Sequence, residues 1–417
     1  MKFKNIKKKM KFRLYLIFLL SNINSNIVKI PFKMQYTNIN NEISFYDYLI
    51  NNKPIAYISI GTPFQRIPLK IYFEGHPLII SGKNTNGIYN KEISSSYKSI
   101  GEHILYGEEY SKFIESHETI SINNKNINNF KFVYPLISER GKNESYFGLV
   151  YKNYDISDYY FVIQLQEKNI IKSHIYIFDF VNENEGYLIL GDYFHNFNNF
   201  YSKENFIQIN NEITFSSFSW NLKFEIIKYD EIEINQNEIC YFDPTFNGII
   251  LYEDFFNKVK NSYFDYQINI KKCDNKIINN ISYFECDPFI NIKNFKSLSF
   301  YHKDLNYTFF LDYSDLFFRN NNKMYFKIVL NKKNPSQCLL GIPLIQKYKI
   351  NFDHGRKIMG LYIKINKTFN FWNWIIISVL LIFCLFLIIT IFKIMKSKRK
   401  RRINEIEDIY EYLPGND

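Results

Sequence analysis

The sequence predicts a mainly β fold with a few short helices, and two observations carry that expectation. Short runs rich in Ile, Tyr, Phe and Val recur between about residues 45 and 365, at 55–60, 69–73, 78–81, 130–135, 175–180, 187–190, 206–209 and 220–227. Asn, Gly and Pro turns separate them at regular intervals, which is the punctuation of strands. Amphipathic helix candidates are few, at 159–168, 253–260 and 344–348. Two segments, 69–81 and 239–251, share one logic of strand, short loop and apolar strand, as a two-lobed chain would. Hydrophobic residues make up 46% of the chain, enough to build a core and to exclude wholesale disorder.

Each end of the chain carries its own signal. Lys2, Lys4, Lys7, Lys8, Lys9, Lys11 and Arg13 precede a short apolar stretch at 14–20, then Ser21 and Ser25, so residues 1–25 read as a secretory signal peptide. At the other end, residues 374–392 carry no charge, and about 20 such residues suffice to cross a bilayer. Trp372 and Trp374 stand at the near edge, and Lys393, Lys396, Lys398, Arg399, Lys400, Arg401 and Arg402 follow at once. The positive-inside rule then makes 374–392 a transmembrane helix and 393–417 a cytoplasmic tail. The expected protein is a single-pass type I membrane protein of the secretory pathway or cell surface, its ectodomain lumenal or extracellular. Of the formal net charge of +11, the first 13 residues supply +7 and the tail +2, leaving about +2 for the rest. The basic balance thus reports targeting and membrane flanks, with no nucleic-acid partner.

Composition narrows the chemistry further. The 34 Tyr and 41 Phe, with Asn-rich runs such as 123–129, point to a nucleotide bias in the genome, so aromatic clusters alone argue little about binding. Cys384 falls inside the expected membrane span, which leaves Cys240, Cys273, Cys286 and Cys338, an even set suited to disulfides in an oxidising compartment. Cys273 and Cys286 flank an Asn-rich turn, as a hairpin staple would, although spacing alone leaves the connectivity open. None of the four has zinc-site spacing, so no metal is expected, and no motif calls for a cofactor. The seven His show no pairing with Ser or Cys that suggests a triad, and no Gly-rich phosphate loop is present. Sequons at Asn143, Asn280, Asn306 and Asn366 are candidate glycosylation sites, consistent with a secreted face.

Several segments, in order and at the right spacing, resemble the pepsin-like aspartic proteases. Phe45-Tyr-Asp-Tyr-Leu49 followed by Tyr57-Ile-Ser-Ile-Gly-Thr-Pro63-Phe-Gln65 is similar to the family's opening strand and turn. Tyr106-Gly107 is similar to the tip of the flap hairpin, and Phe147-Gly-Leu-Val-Tyr151 to the core strand behind the first catalytic loop. Gly186-Tyr-Leu-Ile-Leu-Gly191 resembles the strand leading between lobes, and Trp220 the aromatic that opens the second. Leu339-Leu-Gly-Ile-Pro343, Tyr348, Phe352-Asp353 and Met359-Gly-Leu361 resemble the closing segment. The resemblance implies a bilobal pepsin-like fold, with an N-terminal lobe over 45–194 and a C-terminal lobe over 195–365. It also makes a Cys240–Cys338 bridge compatible with strands that approach each other in the family. The Asn, Ile and Lys bias, with a C-terminal anchor, is similar to the plasmepsin-like proteases of malaria-type parasites.

The family's chemistry needs two carboxylates that share one proton across the lobe boundary. Here the second Asp is kept as Asp243, but it runs on as Pro244-Thr245-Phe246-Asn247, so the usual supporting hydroxyl and Gly are expected to be missing. Counting without gaps from Gln65, the first Asp falls on Tyr72 in the loop Tyr72-Phe73-Glu74-Gly75-His76; a shift of one would place Phe73 there. A phenol, with a reference pKa of about 10, is neutral in acid and cannot share the dyad's proton. The resemblance therefore implies a pseudoprotease that holds an extended peptide or protein ligand in its cleft. The alternative is an active or weakly active membrane-bound aspartic endopeptidase in which Glu74 substitutes for the lost acid.

Overall fold

Residues 28–34 read Val-Lys-Ile-Pro-Phe-Lys-Met, and their large apolar side chains at every second position set the centre of the molecule. In the computed structural model they form a strand, Val28–Met34, whose apolar side chains are buried and whose alternate residues face outward. No strand was expected in this stretch. The structure describes residues 27–35, 44–73, 75–82, 87–104, 112–137, 144–150, 157–210, 220–320, 322–362, 379–380, 382–383 and 385–397. The expected signal peptide, Glu74, the flap residues Tyr106 and Gly107, Asn143, Asn366 and Cys384 lie outside them.

Residues 1–363 and 364–417 form two separate units. In the first, the described strands lie in two sheets, one of 12 and one of 11 strands. Val28–Met34 pairs antiparallel with Glu185–Leu190, which pairs with Ile175–Phe180. The ladder continues, again antiparallel, to Asn351–Asp353, Ile358–Tyr362 and Phe206–Asn210. The last strands of the chain thus close onto a sheet begun by the first. On its other side Val28–Met34 pairs with Pro54–Ile60, then Gln65–Tyr72 and, in parallel, Tyr146–Gly148. The hairpin strands Lys98–Ile104, Lys112–Ile122 and Lys125–Ile137 extend this lobe. The second sheet is built wholly from residues between Asn221 and Leu340. The architecture is mainly β and bilobal, as expected.

The three expected helices form as Phe161–Glu167, Glu253–Val259 and Ile342–Tyr348. Two other expectations change. The segment expected to open the fold as a strand is a helix, Phe45–Ile50, because Ser44 caps it by accepting from the Asp47 N–H at 3.1 Å. Its Phe45, Tyr48 and Leu49, spaced three and four apart, are buried on one face. Residues 78–81 do not form a strand either. They thread between two strands, Ile79 bridging singly to Val133 and Tyr146.

One aromatic cluster joins the lobes. The Trp220 indole N–H donates to the Tyr176 hydroxyl, and Phe352 packs on both rings at 5.3 and 5.4 Å. Phe73 stands edge-on to Phe352 at 5.1 Å. Two disulfides form, Cys240–Cys338 and Cys273–Cys286. The first closes a separation of 98 residues and ties the strand before Asp243 to the closing segment. In the second unit, residues 385–397 are helical, and the Thr390 hydroxyl donates back to the Phe386 carbonyl at 2.8 Å. Among the described residues no helix is long and apolar enough to cross a membrane.

Beside the aromatic cluster, His174 and His354 stack at 4.7 Å, and the His354 N–H donates to the His174 carbonyl at 2.9 Å. Burial lowers the His174 pKa to about 4 against smaller upward pulls from its hydrogen bond to the Leu149 carbonyl and from Asp353. Burial, then His174 and Lys357, lower that of His354 to about 3. Both folded values lie below the unfolded value of about 6.5, so the unfolded chain takes up protons first as pH falls. Stability is therefore complete above pH 6.5 and declines towards pH 4, by about 1.4 kcal/mol per unit for each histidine. Urea midpoints measured from pH 7 to 4 will show this decline, and His354→Phe will make it shallower. An unchanged slope in that variant would exclude the stacked pair as its source.

Candidate active site

The two loops expected to carry the catalytic acids follow strands with the same hydrogen-bond ladder. In the first lobe the Lys70 N–H donates to the Ser145 carbonyl at 2.9 Å, and Tyr72 lies opposite Gly148. In the second the Tyr241 N–H donates to the Cys338 carbonyl at 3.0 Å, and the Asp243 N–H to Leu340 at 3.0 Å. Ser145 and Cys338 each stand three residues before a glycine, Gly148 and Gly341. Tyr72 and Asp243 each stand two residues after the donor. The two lobes are thus equivalent with Tyr72 on Asp243, and Phe73 falls one step beyond, its ring in the interlobe cluster. Gly341 is required here, since a Cβ would meet the Phe246 carbonyl oxygen at 2.1 Å.

Tyr72 is half-buried. Its ring stands edge-on to Tyr146 at 5.1 Å and His76 at 5.2 Å, beside Ile79, Phe113, Val133 and Tyr159. The surroundings on this side are aromatic and aliphatic. Asp243, also half-buried, is held differently. Its Oδ1 accepts from the Thr245 N–H at 2.7 Å and from the Thr245 hydroxyl at 2.6 Å. The expectation that the supporting hydroxyl is missing is thus corrected. Pro244 fixes the first step of an Asx-type turn, and the hydroxyl arrives from the second residue after the acid.

Thr245 is itself anchored from the other lobe. Lys53 Nζ donates to the Thr245 hydroxyl at 3.0 Å and to its carbonyl at 3.1 Å. Next to it, the buried Asn247 amide donates to the carbonyls of Tyr48 at 3.0 Å and Asn52 at 2.9 Å, and its N–H to Leu49 at 3.2 Å. The capped helix Phe45–Ile50 packs beside this loop, with Tyr48 stacked on Phe318 at 3.8 Å and Phe45 on Tyr325 at 4.7 Å. Sequence reasoning missed Lys53 and Asn247. The signal that locates them is Ser44-x-x-Asp47, a helix start that sets the chain leaving the helix against the second loop.

The arrangement offers one supported carboxylate and, at the equivalent point, a phenol. Such a pair can accept and donate hydrogen bonds but lacks the second carboxyl that proton sharing needs. Among the described residues no group of three or more His, Cys, Asp or Glu is placed to hold a metal ion. Asn280 and Asn306, both exposed and left-handed with φ of 67° and 45°, sit in hairpin turns where a modifying enzyme could reach them.

Comparison with known proteins identifies the fold. The family model described as eukaryotic aspartyl protease matches residues 77–362. The match starts just past His76, so it includes Asp243 and leaves out the loop of Tyr72. No curated protein matches the sequence. Among solved structures, conglutin gamma, a basic 7S globulin from lupine seeds, is similar with a TM-score of 0.60 at 12% identity, over 81% of this chain and 95% of that one. Basic 7S globulin from soybean is similar with a TM-score of 0.57 at 12% identity, over 82% and 97%. At such identity the likeness concerns the fold alone.

Asn247→Ala removes a side-chain donor from two carbonyls at once. It is expected to lower the unfolding free energy by about 2 kcal/mol, measured by urea denaturation at pH 7. An effect under about 0.5 kcal/mol, the range of ordinary surface changes, would mean that these bonds do not hold the lobes together.

Proposed function

The chain belongs to the eukaryotic aspartyl protease family, and from that premise we propose that it is a pseudoprotease, a peptide- or protein-binding member without a working acid dyad. The observation that carries this reading is the ladder equivalence of Tyr72 with Asp243. A tyrosine hydroxyl at the first position cannot share a proton with a carboxylate in acid. The ligand is an extended segment lying between the lobes, held by main-chain hydrogen bonds and side-chain pockets.

The same proposal places the protein on a membrane, with residues 1–25 as signal, 374–392 as the span and 393–417 in the cytoplasm. The charge-free stretch before the basic run supports this, as do helical residues such as Ile382 and Phe386, whose apolar side chains are 67% and 64% exposed. Two disulfides suit an oxidising lumen, where Asn143, Asn280, Asn306 and Asn366 would carry glycans. The compositional likeness to proteases of malaria-type parasites belongs to this proposal too.

The test is cleavage. Detergent-solubilised full chain is incubated with a mixed peptide library from pH 4 to 7, with and without a statine-type inhibitor, beside an Asp243→Ala control. We expect no cleavage above that control, and retention of a subset of uncut peptides. Inhibitor-sensitive cleavage that disappears in Asp243→Ala would overturn the reading. The protein would then be a membrane-bound aspartic endopeptidase, with Glu74 the first candidate for the second acid.

A further inference from the structure

Two concavities lie along one face of the central sheet, on the strands Val28–Met34, Pro54–Ile60, Gln65–Tyr72 and Glu185–Leu190. One, of about 190 Å³, is lined by Pro31, Lys33, Tyr57, Arg66, Glu185 and Tyr187 among others. A second, of about 140 Å³, continues along the face past Ile55, Pro68 and Lys70. The strand registers explain the surface chemistry. Tyr57 is the cross-strand partner of Pro68, and Tyr187 that of Pro31. Two Pro–Tyr pairs therefore lie side by side on the outward face, with Tyr57 39% exposed.

Cations frame this platform. The Arg66 guanidinium lies over the Tyr57 ring at 4.5 Å, and Lys29 Nζ over Tyr187 at 4.0 Å. Lys33, two residues past Pro31 on the same strand, lies across the platform from Lys29 and Arg66 and directly opposite Glu185 in the ladder. No ion pair among the described residues engages Lys29, Lys33 or Arg66, whereas Lys70 is paired with Glu144 at 2.5 Å. Three cations that form no ion pair among the described residues, two of them over aromatic faces and the third opposite Glu185, surround an apolar floor. An anionic ligand with some apolar surface complements it.

We propose that this face is a docking site for an acidic, extended segment of a partner protein, separate from the interlobe cleft. The concave, proline- and tyrosine-floored shape fits a peptide better than a flat membrane. The Glu185 and Glu144 carboxylates at its edges would repel a continuous layer of anionic headgroups. A peptide can place its acids on Lys29, Lys33 and Arg66 and its apolar side chains over the tyrosines. The inference does not depend on whether the cleft binds or cuts.

The experiment uses full chain in a neutral detergent and fluorescence anisotropy of two labelled decapeptides, each with a central Tyr, one rich in Glu and one with Gln in place of every Glu. Binding of the Glu peptide should be saturable and at least about tenfold tighter than that of the Gln peptide. The double variant Lys33→Ala with Arg66→Ala should weaken it by about fivefold or more. Removal of two cations elsewhere, Lys258→Ala with Lys293→Ala, should not. A charge-swapped protein, Lys33→Glu with Arg66→Glu, should instead prefer a Lys-rich counterpart, a gain that misfolding could not produce. Equal binding of the Glu and Gln peptides, or indifference to the Lys33 and Arg66 changes, would overturn the proposal. So would capture by phosphatidylserine vesicles without peptide binding, which would make the face a membrane contact.

Discussion

The pairing of Ile175–Phe180 with Asn351–Asp353 joins the end of the first lobe to the closing strands, and each lobe's geometry depends on it. Through that ladder the closing strands become part of the sheet that Val28–Met34 begins. Phe352 is thereby placed between Tyr176 and Trp220, and against Phe73. Such a core costs little in side-chain entropy, because aromatic rings have few rotamers and bury large areas. It also sits directly behind the loop that begins at Tyr72. The two candidate loops are fixed relative to each other by packing that owes nothing to their own chemistry. A change of catalytic residue can therefore leave the scaffold intact.

What was legible in the sequence follows from which interactions are local. Runs of β-branched and aromatic residues between turns located strands such as Ile175–Phe180, and apolar spacing located the helix Ile342–Tyr348, because both signals lie in consecutive residues. The helix Phe45–Ile50 went unread because Phe45-Tyr-Asp-Tyr-Leu49 suits a strand by propensity. A cap at Ser44 and aromatic partners some 270 residues away at Phe318 and Tyr325 decided otherwise. Residues 78–81 failed in the opposite sense. Their composition is that of a strand, but Ile79 is shared between two neighbours and forms only single bridges.

The site divides along the same line. Asp243 and Tyr72 could be found because each stands at a strand's end, at the place the resemblance assigns to a catalytic acid, Tyr72 by an ungapped count from Gln65. Lys53 and Asn247 could not, since their contacts run between lobes at sequence separations of 192 and 195 to 199 residues. The hydroxyl of Thr245 was misjudged for a subtler reason. A motif records the position of a side chain in sequence, whereas support for a carboxylate requires only that a donor arrive in space. Pro244 turns the chain so that the donor comes one residue later.

That support bears on what the site is built to hold. In a proton-sharing pair, each carboxylate is stabilised partly by the other's hydrogen. A lone half-buried carboxylate has no such partner and must be compensated by fixed donors. Asp243 has two, and the hydroxyl among them accepts a hydrogen bond from the cationic Lys53, which polarises it further. Lys53 also bonds the Thr245 carbonyl, so losing the lysine would loosen the turn as well as the charge support. The network makes Asp243 self-sufficient as a single acceptor. On the opposite side, the rings of Tyr72, His76 and Tyr146 pack edge to face and place apolar surface where a second acid would need solvation or a donor. Among the described residues, one half of the site thus presents rings and the other a fixed acceptor. This contrast is what supports the proposed recognition role, since a shared proton would call for a carboxyl on both sides.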